Sequence, residues 1–246
     1  MKEFLSHWYG VLAFVLFDVA VLTAVIAITY RWLFKRIFDL LCSIVCIAVT
    51  SPVLLVAYIR AKNMQSKCGE PKKIFKKTAL VGKKAKTVRL TEFAYEDEEG
   101  NVLGAYGEWL KRTGIYKLPR LFDVFLGRLS FVGVKPFSLA DAEFVAEEDE
   151  DRFTVRAGLI NPLVLKNDES VTYQEMLSSD TLYADKQSFF LDIKIFFTWA
   201  ILSIRGDKKN YLGQTESVSY ADYLKEQGEI TQEDYDSVMD YIAENK

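Results

Sequence analysis

Residues 106–136 read YGEWLKRTGIYKLPRLFDVFLGRLSFVGVKP and contain the motifs from which the architecture of the central part of the chain is predicted. Glycines punctuate the stretch at Gly107, Gly114, Gly127 and Gly133. Pro119 suits the first turn of a helix, because its missing N–H would have no helical partner there. The pattern predicts a short basic helix, a turn, a second helix that starts at Leu-Pro, and a return. Taken alone, this is a helical hairpin with a cationic rim.

The composition of the chain limits its class. Its 246 residues are half hydrophobic, which suits one globular domain with accessory segments and leaves apolar residues for membrane helices. Cys42 and Cys46 lie one helical turn apart in an apolar run, which is typical of buried small hydrophobic side chains. The only histidine, His7, lies beside an apolar segment. We therefore expect neither a disulfide nor a metal site, and a histidine-based catalyst is nearly excluded.

The first apolar run covers residues 10–30, about the length needed to cross a bilayer. Aromatic residues flank both ends, as is common at membrane interfaces: Trp8, Tyr9, Tyr30 and Trp32. The run is too long for a signal peptide, so residues 1–32 are predicted to be a retained transmembrane helix. Asp18 within it either faces a partner helix, or is a neutral side chain near the lipid, or belongs to a shallow helix.

The second apolar run covers residues 37–59. Basic residues flank both ends, which favours the cytoplasmic side for each: Lys35, Arg36, Arg60 and Lys62. Pro52 in its middle removes a helical hydrogen bond, and the neighbouring Ser51 hydroxyl can bind a backbone group that is freed. We predict a bent, re-entrant helix that enters and leaves on one face. An ordinary kinked spanning helix is the alternative.

Residues 60–92 carry eleven Lys and Arg residues against two Glu. Such a cluster beside a membrane segment favours binding to anionic lipids. Nucleic acid is a poorer ligand, because no aromatic residues interleave at a stacking rhythm. Within the cluster, IFKKTALVGKKAKTVRL alternates apolar residues around Gly82, which predicts a β-hairpin.

Several motifs resemble the bacterial sugar transferase family, the membrane-embedded polyprenyl-phosphate sugar-1-phosphate transferases. The central stretch has Gly-x-Trp-Leu-Lys-Arg-Thr, Leu-Pro-x-Leu and Gly-x-x-Ser-x-Val-Gly-x-x-Pro in the family's order. Lys35-Arg36-x-Phe38-Asp39 followed by Ser51-Pro52 is similar to the family's membrane entry. The resemblance covers about residues 33–205. It implies a helix-rich α+β protein, anchored in the bacterial inner membrane, with a cytoplasmic domain on the inner leaflet.

The chain departs from this family where the family carries its chemistry. Before Leu-Pro the family has an Asp-Glu pair, understood as a nucleophile and an acid that assists with Mg²⁺; here Tyr116 and Lys117 occupy those places. Neither binds Mg²⁺ as a carboxylate does, and a lysine opposes the metal electrostatically. A phenolic nucleophile at Tyr116 would need a base to lower its pKa from about 10, and the sequence supplies none.

Other departures change the polar residues that would face a substrate. Arg128 stands where the family has Asp, and Lys135 replaces the arginine of a phosphate-binding run, which keeps a cation without the bidentate fork. Around the hairpin, four polar family positions are occupied by Thr78, Leu80, Glu92 and Ala94. The remaining candidates for phosphate binding are Lys135, Arg120 and Arg128.

Two acidic segments accompany this domain. The run at residues 141–151 is predicted to be a solvated helix or loop. Residues 206–246 have ten acids against four lysines, with Thr231 as a predicted helix N-cap, and resemble no part of the family core. This tail is either a docking element for a partner or a solubilising cap.

The joint departures predict a sugar transferase homologue without phosphotransfer activity and without a cofactor. It would act as a partner or scaffold subunit in lipid-linked glycan or exopolysaccharide assembly. Its partners would be an active sugar transferase, another assembly protein or a second copy in a homodimer, reached through the first helix or the tail. The alternative is an active, divergent enzyme that moves a phosphosugar from a UDP-sugar to polyprenyl phosphate and needs Mg²⁺. A third hypothesis is a lipid-binding adaptor that uses the basic segment.

Overall fold

The computed structural model describes residues 8–68, 73–97, 99–166, 171–205 and 219–244. Helices dominate and two small β-sheets accompany them, so the predicted helix-rich α+β class is confirmed. The helices are α1 Trp8–Thr29, α2 Lys35–Cys68, α3 Gly104–Thr113, α4 Arg120–Phe125, α5 Leu139–Glu143, α6 Tyr173–Lys186, α7 Phe189–Arg205, α8 Tyr220–Gln227 and α9 Gln232–Glu244. The strands are β1 Phe75–Val81, β2 Thr87–Phe93, β3 Ser130–Val132 and β4 Gly158–Ile160.

Helices α1 and α2 are each long and apolar enough to cross a membrane, and a π-helical turn at Tyr30–Phe34 joins them. Only 6% and 11% of their most apolar parts are buried. Helix α2 is longer than the predicted 37–59 and contains Pro52. The Ser51 hydroxyl donates to the Ala48 carbonyl at 2.8 Å, the group that Pro52 leaves without its N–H donor. The predicted hydrogen bond from Ser51 to a freed backbone group is present, and the re-entrant path with its break at Ser51 and Pro52 stays a prediction.

The predicted hairpin is confirmed as an antiparallel pair, with Phe75 opposite Phe93 and Val81 opposite Thr87. The turn follows Gly82, and Lys84 within it has a φ of 60°. Lys77 and Arg89 are exposed on one face of the hairpin, while Leu80 and Leu90 on the other face join the core.

The central stretch forms the predicted helices α3 and α4, with left-handed glycines at Gly114 and Gly127 between and after them. Pro119 lies directly before α4, as predicted. The interpretation of Gly107 as punctuation was wrong. It lies inside α3, where a Cβ atom would be 2.4 Å from the Tyr95 carbonyl oxygen, so its role is close packing.

Strands β3 and β4 are parallel and lie in the main core. Their backbones approach so closely that a Cβ atom on Gly158 would be 2.1 Å from the Gly133 nitrogen. Phe38, Cys42 and Cys46 of α2 pack against this core, and both cysteines are half-buried free thiols. The strand pair therefore lies directly beside the apolar helix.

Buried polar contacts join α2 to β3. Asp39 accepts a hydrogen bond from the Phe131 N–H at 2.9 Å. The Lys35 ammonium donates to the Val132 carbonyl at 2.8 Å and pairs with Asp192 of α7 at 2.6 Å. These groups are all buried, so the basic entry of α2 is fixed to the strand pair rather than left in solvent.

The acidic tail packs partly on the domain. Thr231 caps α9 by accepting from the Asp234 N–H at 3.1 Å, which confirms its predicted role. Tyr220 and Leu224 of α8 are buried. The prediction that the run at 141–151 is solvated holds for its exposed glutamates but was wrong for Asp141, which is buried and accepts from the Ala221 N–H at 3.0 Å.

Candidate functional site

A cavity of about 530 Å³ lies where the hairpin, the central stretch, the strand pair and helices α2 and α7 meet. Four of the sequence-predicted residues line it: Tyr116, Lys117, Arg120 and Lys135. The fold thus brings together residues that are separated by up to about twenty positions. Another cavity, of about 660 Å³, lies between the hairpin, α5 and α9 and contains none of the predicted residues.

Tyr116 and Lys117 lie in a 3₁₀ turn, Ile115–Lys117, at the edge of the first cavity. The Tyr116 ring packs against the Tyr95 ring with their centroids 4.6 Å apart. The Lys117 ammonium lies 5.3 Å from the Tyr116 ring centroid. Burial, together with the charge of Glu96, raises the pKa of Tyr95 to about 12. Tyr95 therefore stays a neutral phenol at physiological pH and cannot serve as a base for Tyr116.

Glu92 is a residue of the cavity that the sequence analysis did not assign to the site. In the part of the chain that the structure describes, it is the only carboxylate that lines the cavity. It is buried on β2, forms a salt bridge with Arg120, and accepts from the Thr78 hydroxyl at 3.1 Å. A sequence feature that could have drawn attention to Glu92 is its position as an isolated acidic residue at the end of a strongly basic segment.

Lys135 reaches the cavity from the segment that follows β3. A fully buried ion pair holds its backbone: Arg152 and Asp180 lie 2.8 Å apart. Arg152 donates to the Lys135 carbonyl at 2.8 Å, and Asp180 accepts from the Lys135 N–H at 3.3 Å. Burial raises the pKa of Asp180 to about 6, although Arg152 acts in the opposite direction. The Lys135 ammonium lies 5.6 Å from the Tyr173 ring centroid.

Arg128 is not brought to this cavity. Its half-exposed guanidinium pairs with Asp123 at 3.1 Å, at the end of α4. Ser51 and Pro52 do not line the cavity either, but Thr50 and Cys46 of the same helix do. Helix α2 therefore supplies one wall of the cavity directly beside its proline.

The lining charges favour an anionic ligand. Three basic residues and one carboxylate line the cavity, and that carboxylate is already paired with Arg120. Charge-assisted hydrogen bonds from lysine and arginine are strong contacts for phosphate oxygens. Mg²⁺ instead requires oxygen ligands in an octahedral arrangement, usually including carboxylates. One ion-paired carboxylate, in a cavity that Lys117 also lines, does not fit such a site. The described residues contain no group of three or more His, Cys, Asp or Glu side chains placed to hold a metal.

The chain is similar to known proteins over the same region. The bacterial sugar transferase family model matches residues 30–205. The uncharacterized sugar transferase EpsL of Bacillus subtilis is 29% identical over 65% of this chain and 82% of its own length. The undecaprenyl-phosphate galactose phosphotransferase of Salmonella typhimurium is 21% identical over 70% of this chain.

The lengths of these relatives differ. The chain spans 41% of the Salmonella protein. It spans 82% of the exopolysaccharide production protein ExoY of Sinorhizobium fredii, to which it is 23% identical over 66% of its own length. Since the family model covers well over half of the residues, and the motifs of the central stretch, the hairpin and the strand pair all lie within it, the chain belongs to the bacterial sugar transferase family.

Proposed function

We propose that this chain is a catalytically degenerate sugar transferase homologue that binds phosphate-bearing substrates of its family without transferring the phosphosugar. It would serve as a partner or scaffold subunit in lipid-linked glycan or exopolysaccharide assembly. The observation that carries the proposal is the state of the cavity: Tyr116 and Lys117 stand where the resemblance requires carboxylates, and the remaining carboxylate, Glu92, is bound by Arg120.

The chemistry of transfer explains why this arrangement favours binding over turnover. Moving a sugar phosphate onto a lipid phosphate brings two anions together, so the site must neutralise charge and supply a nucleophile. Lys117, Arg120 and Lys135 provide positive charge. Glu92 is a poor nucleophile, because its lone pairs accept from Arg120 and Thr78. The residues of the cavity therefore favour phosphate binding but supply no effective nucleophile for transfer.

The experiment that tests this is a turnover and binding assay on the full chain in nanodiscs. UMP release is followed with a panel of UDP-sugars, undecaprenyl phosphate and Mg²⁺, and UDP affinity is measured separately. We expect no UMP release and measurable UDP binding. Lys135→Ala should weaken UDP binding about tenfold or more, since it removes a charge-assisted contact. Arg128→Ala is the matched control, because Arg128 lies outside the cavity.

The contradicting result is sustained UMP release by the wild-type chain. A double variant, Tyr116→Asp with Lys117→Glu, is run beside it. A gain of UMP release in the double variant would locate the loss of activity at those two positions. If the wild type binds no UDP, the cavity is not a phosphate site and the binding half of the proposal is wrong.

Glu92 also supports a second candidate, an active but divergent transferase. Its carboxylate lines the same cavity as three cations, so it could attack the sugar-linked phosphorus and release UMP. This candidate predicts UMP release that survives Tyr116→Phe and Lys117→Ala and is lost in Glu92→Gln. Glu92→Gln keeps the size of the side chain. Its amide oxygen can still accept from Arg120, and its NH2 group can donate to the Thr78 hydroxyl, so the variant removes the nucleophilic carboxylate without emptying its place.

We further propose that the chain lies in the bacterial inner membrane, with α2 entering and leaving on the cytoplasmic side. The exposed apolar surfaces of α1 and α2 support membrane insertion, and Pro52 within α2 supports a bend. The test places single cysteines at Leu33 and Asn63, both exposed, in a chain whose native cysteines are serine. Labelling of both from the cytoplasmic side supports a re-entrant helix, and labelling from opposite sides contradicts it.

The partner role has its own test. Tagged wild-type chain is cross-linked in its native membrane and purified, and the recovered proteins are identified. Recovery of an active sugar transferase or another glycan-assembly protein supports the scaffold function. Recovery of none, from membranes in which the chain is folded, counts against it. A cross-linked dimer of the chain itself would instead support the homodimer.

A further inference from the structure

The tail beyond residue 205 lies outside the region that matches the family. Its helix α8 packs against Phe137 and Tyr173, next to the segment that carries Lys135. Helix α8 places Tyr220 with its ring centroid 5.7 Å from that of Phe137 and 5.1 Å from that of Tyr173. Tyr223 lies 5.1 Å from Tyr173 in the same way. The tail therefore contacts the domain through an aromatic cluster, defined here as Phe137, Tyr173, Tyr220 and Tyr223.

Two members of the aromatic cluster also hold Lys135. The Lys135 ammonium lies over the Tyr173 ring at 5.6 Å. Phe137 packs at 3.5 Å against the guanidinium of Arg152, which in turn donates to the Lys135 carbonyl at 2.8 Å. The side chain of Lys135 thus reaches α8 through Tyr173, and its backbone reaches α8 through Arg152 and Phe137.

The docking of α8 is fixed by buried groups. Asp141 accepts from the Ala221 N–H at 3.0 Å, and Ser219 caps the helix by accepting from the Asp222 N–H at 3.1 Å. Leu224 is buried in the same cluster of side chains. A helix held at its first turn and along one apolar face constrains the rings that it contacts.

We propose that α8 is a positioning element for the phosphate-binding cavity, acting on Lys135 through Tyr173 and Phe137. The proposal rests on the proposed function, because it assumes that Lys135 binds a phosphate group. A cation over an aromatic ring is attracted to the ring face, so the orientation of Tyr173 sets where the ammonium lies. Removing Tyr220 takes away the packing that sets this orientation, while leaving every residue of the cavity in place.

The experiment compares Tyr220→Ala, Tyr220→Phe and Tyr241→Ala in the full chain in nanodiscs. Tyr241 is the matched control, since it is a tyrosine of the same tail with 60% of its surface exposed. UDP is the probe for affinity, and hydrogen–deuterium exchange of residues 133–137 in the absence of ligand is the second readout. The Lys135 N–H, which donates to Asp180, reports whether that segment is held.

We expect Tyr220→Ala to weaken UDP binding about fivefold and to raise exchange in residues 133–137, because it loosens one cation–aromatic contact. Tyr220→Phe keeps the ring and should restore both readouts, and Tyr241→Ala should change neither. Wild-type UDP affinity in Tyr220→Ala, or unchanged exchange in residues 133–137, overturns the inference while leaving the proposed function intact. Failure of the wild type itself to bind UDP refutes the proposed function, and this inference with it.

Discussion

The buried ion pair between Arg152 and Asp180, which binds the backbone of Lys135, leads to a testable prediction about the stability of the chain. Neither side chain has exposed surface, and their charged atoms lie 2.8 Å apart. Asp180→Asn leaves the buried Arg152 guanidinium without its counter-charge. Two nitrogens of Arg152, Nε and Nη1, already have no hydrogen-bond partner among the described residues. Breaking one side of a buried pair costs about 3–5 kcal/mol. Arg152→Met differs, because the carboxylate that remains can take up a proton.

That difference makes the two variants respond oppositely to pH. Burial raises the pKa of Asp180 from 3.8 to about 6 in the folded chain. Between these values the folded chain holds a proton that the unfolded chain has lost, so its stability falls with rising pH, by about 3 kcal/mol in all. Without the attraction of Arg152 the pKa of Asp180 rises further, and stability keeps falling above about pH 6 in Arg152→Met. The loss of unfolding free energy in Arg152→Met, relative to the wild type, therefore grows from about pH 5 to pH 8. The loss in Asp180→Asn first becomes slightly smaller over the same range and then stays constant.

The assay is the thermal unfolding midpoint in detergent, followed by tryptophan fluorescence at about pH 5 and pH 8. A loss of about 3–5 kcal/mol corresponds to roughly 6–20 °C for a chain of this size. Lys166→Met is the matched control, because the Lys166–Glu175 pair is 3.8 Å apart and 41% and 46% exposed. It should cost less than about 1 kcal/mol. An equal loss of stability for Arg152→Met at the two pH values would refute the reasoning. It would mean that burial without Arg152 does not raise the pKa of Asp180 further.

Two further predictions concern the backbone. Gly158→Ala should prevent accumulation of folded chain, judged by gel filtration and circular dichroism, because its Cβ atom would lie 2.1 Å from the Gly133 nitrogen. Gly82→Ala should fold, because its Cβ atom would meet the Val88 side chain at 3.0 Å and the Lys86 carbonyl oxygen only at 3.5 Å. Recovery of folded Gly158→Ala would show that the strands can separate. Ser51→Ala should lower the thermal midpoint by roughly 2–4 °C, because the Ala48 carbonyl loses its donor. An unchanged midpoint would mean that this carbonyl finds another donor.

Local patterns in the sequence predicted the elements that local physics determines. The hairpin around Gly82 follows from alternation of apolar residues, and the start of α4 follows from Pro119. Thr231 was predicted as a cap because a hydroxyl oxygen at a helix start accepts from a backbone N–H that has no helical partner, as the Thr231 hydroxyl does here from the Asp234 N–H. In each case the deciding residues lie within a few positions of one another.

The parts that escaped prediction depend on contacts between distant segments. Glu92 and Arg120 are 28 positions apart and meet only because β2 packs beside α4. Gly107 was interpreted as a turn residue, since the approach of the Tyr95 carbonyl to α3 is not visible in a sequence. Arg128 was grouped with the cavity cations, although the left-handed turn at Gly127 directs it to Asp123 instead. Pairings of this kind are set by tertiary packing rather than by spacing.

The contacts that maintain this fold do not involve the residues that would perform transfer. The fold can therefore persist after the catalytic residues are lost. Lys35 and Asp39 tie α2 to the strand pair, and the Arg152–Asp180 pair holds the segment that carries Lys135. None of these contacts involves Tyr116. The ring of Tyr116 packs on the ring of Tyr95. Two carboxylates at positions 116 and 117 would instead repel each other, and both would repel Glu92. Active sites commonly trade stability for chemistry in this way, so exchanging the acidic pair for an aromatic and a basic residue should stabilise the chain while it removes the nucleophile. It follows that the acidic double variant at positions 116 and 117 should unfold at a lower temperature than the wild type, whether or not it regains transfer.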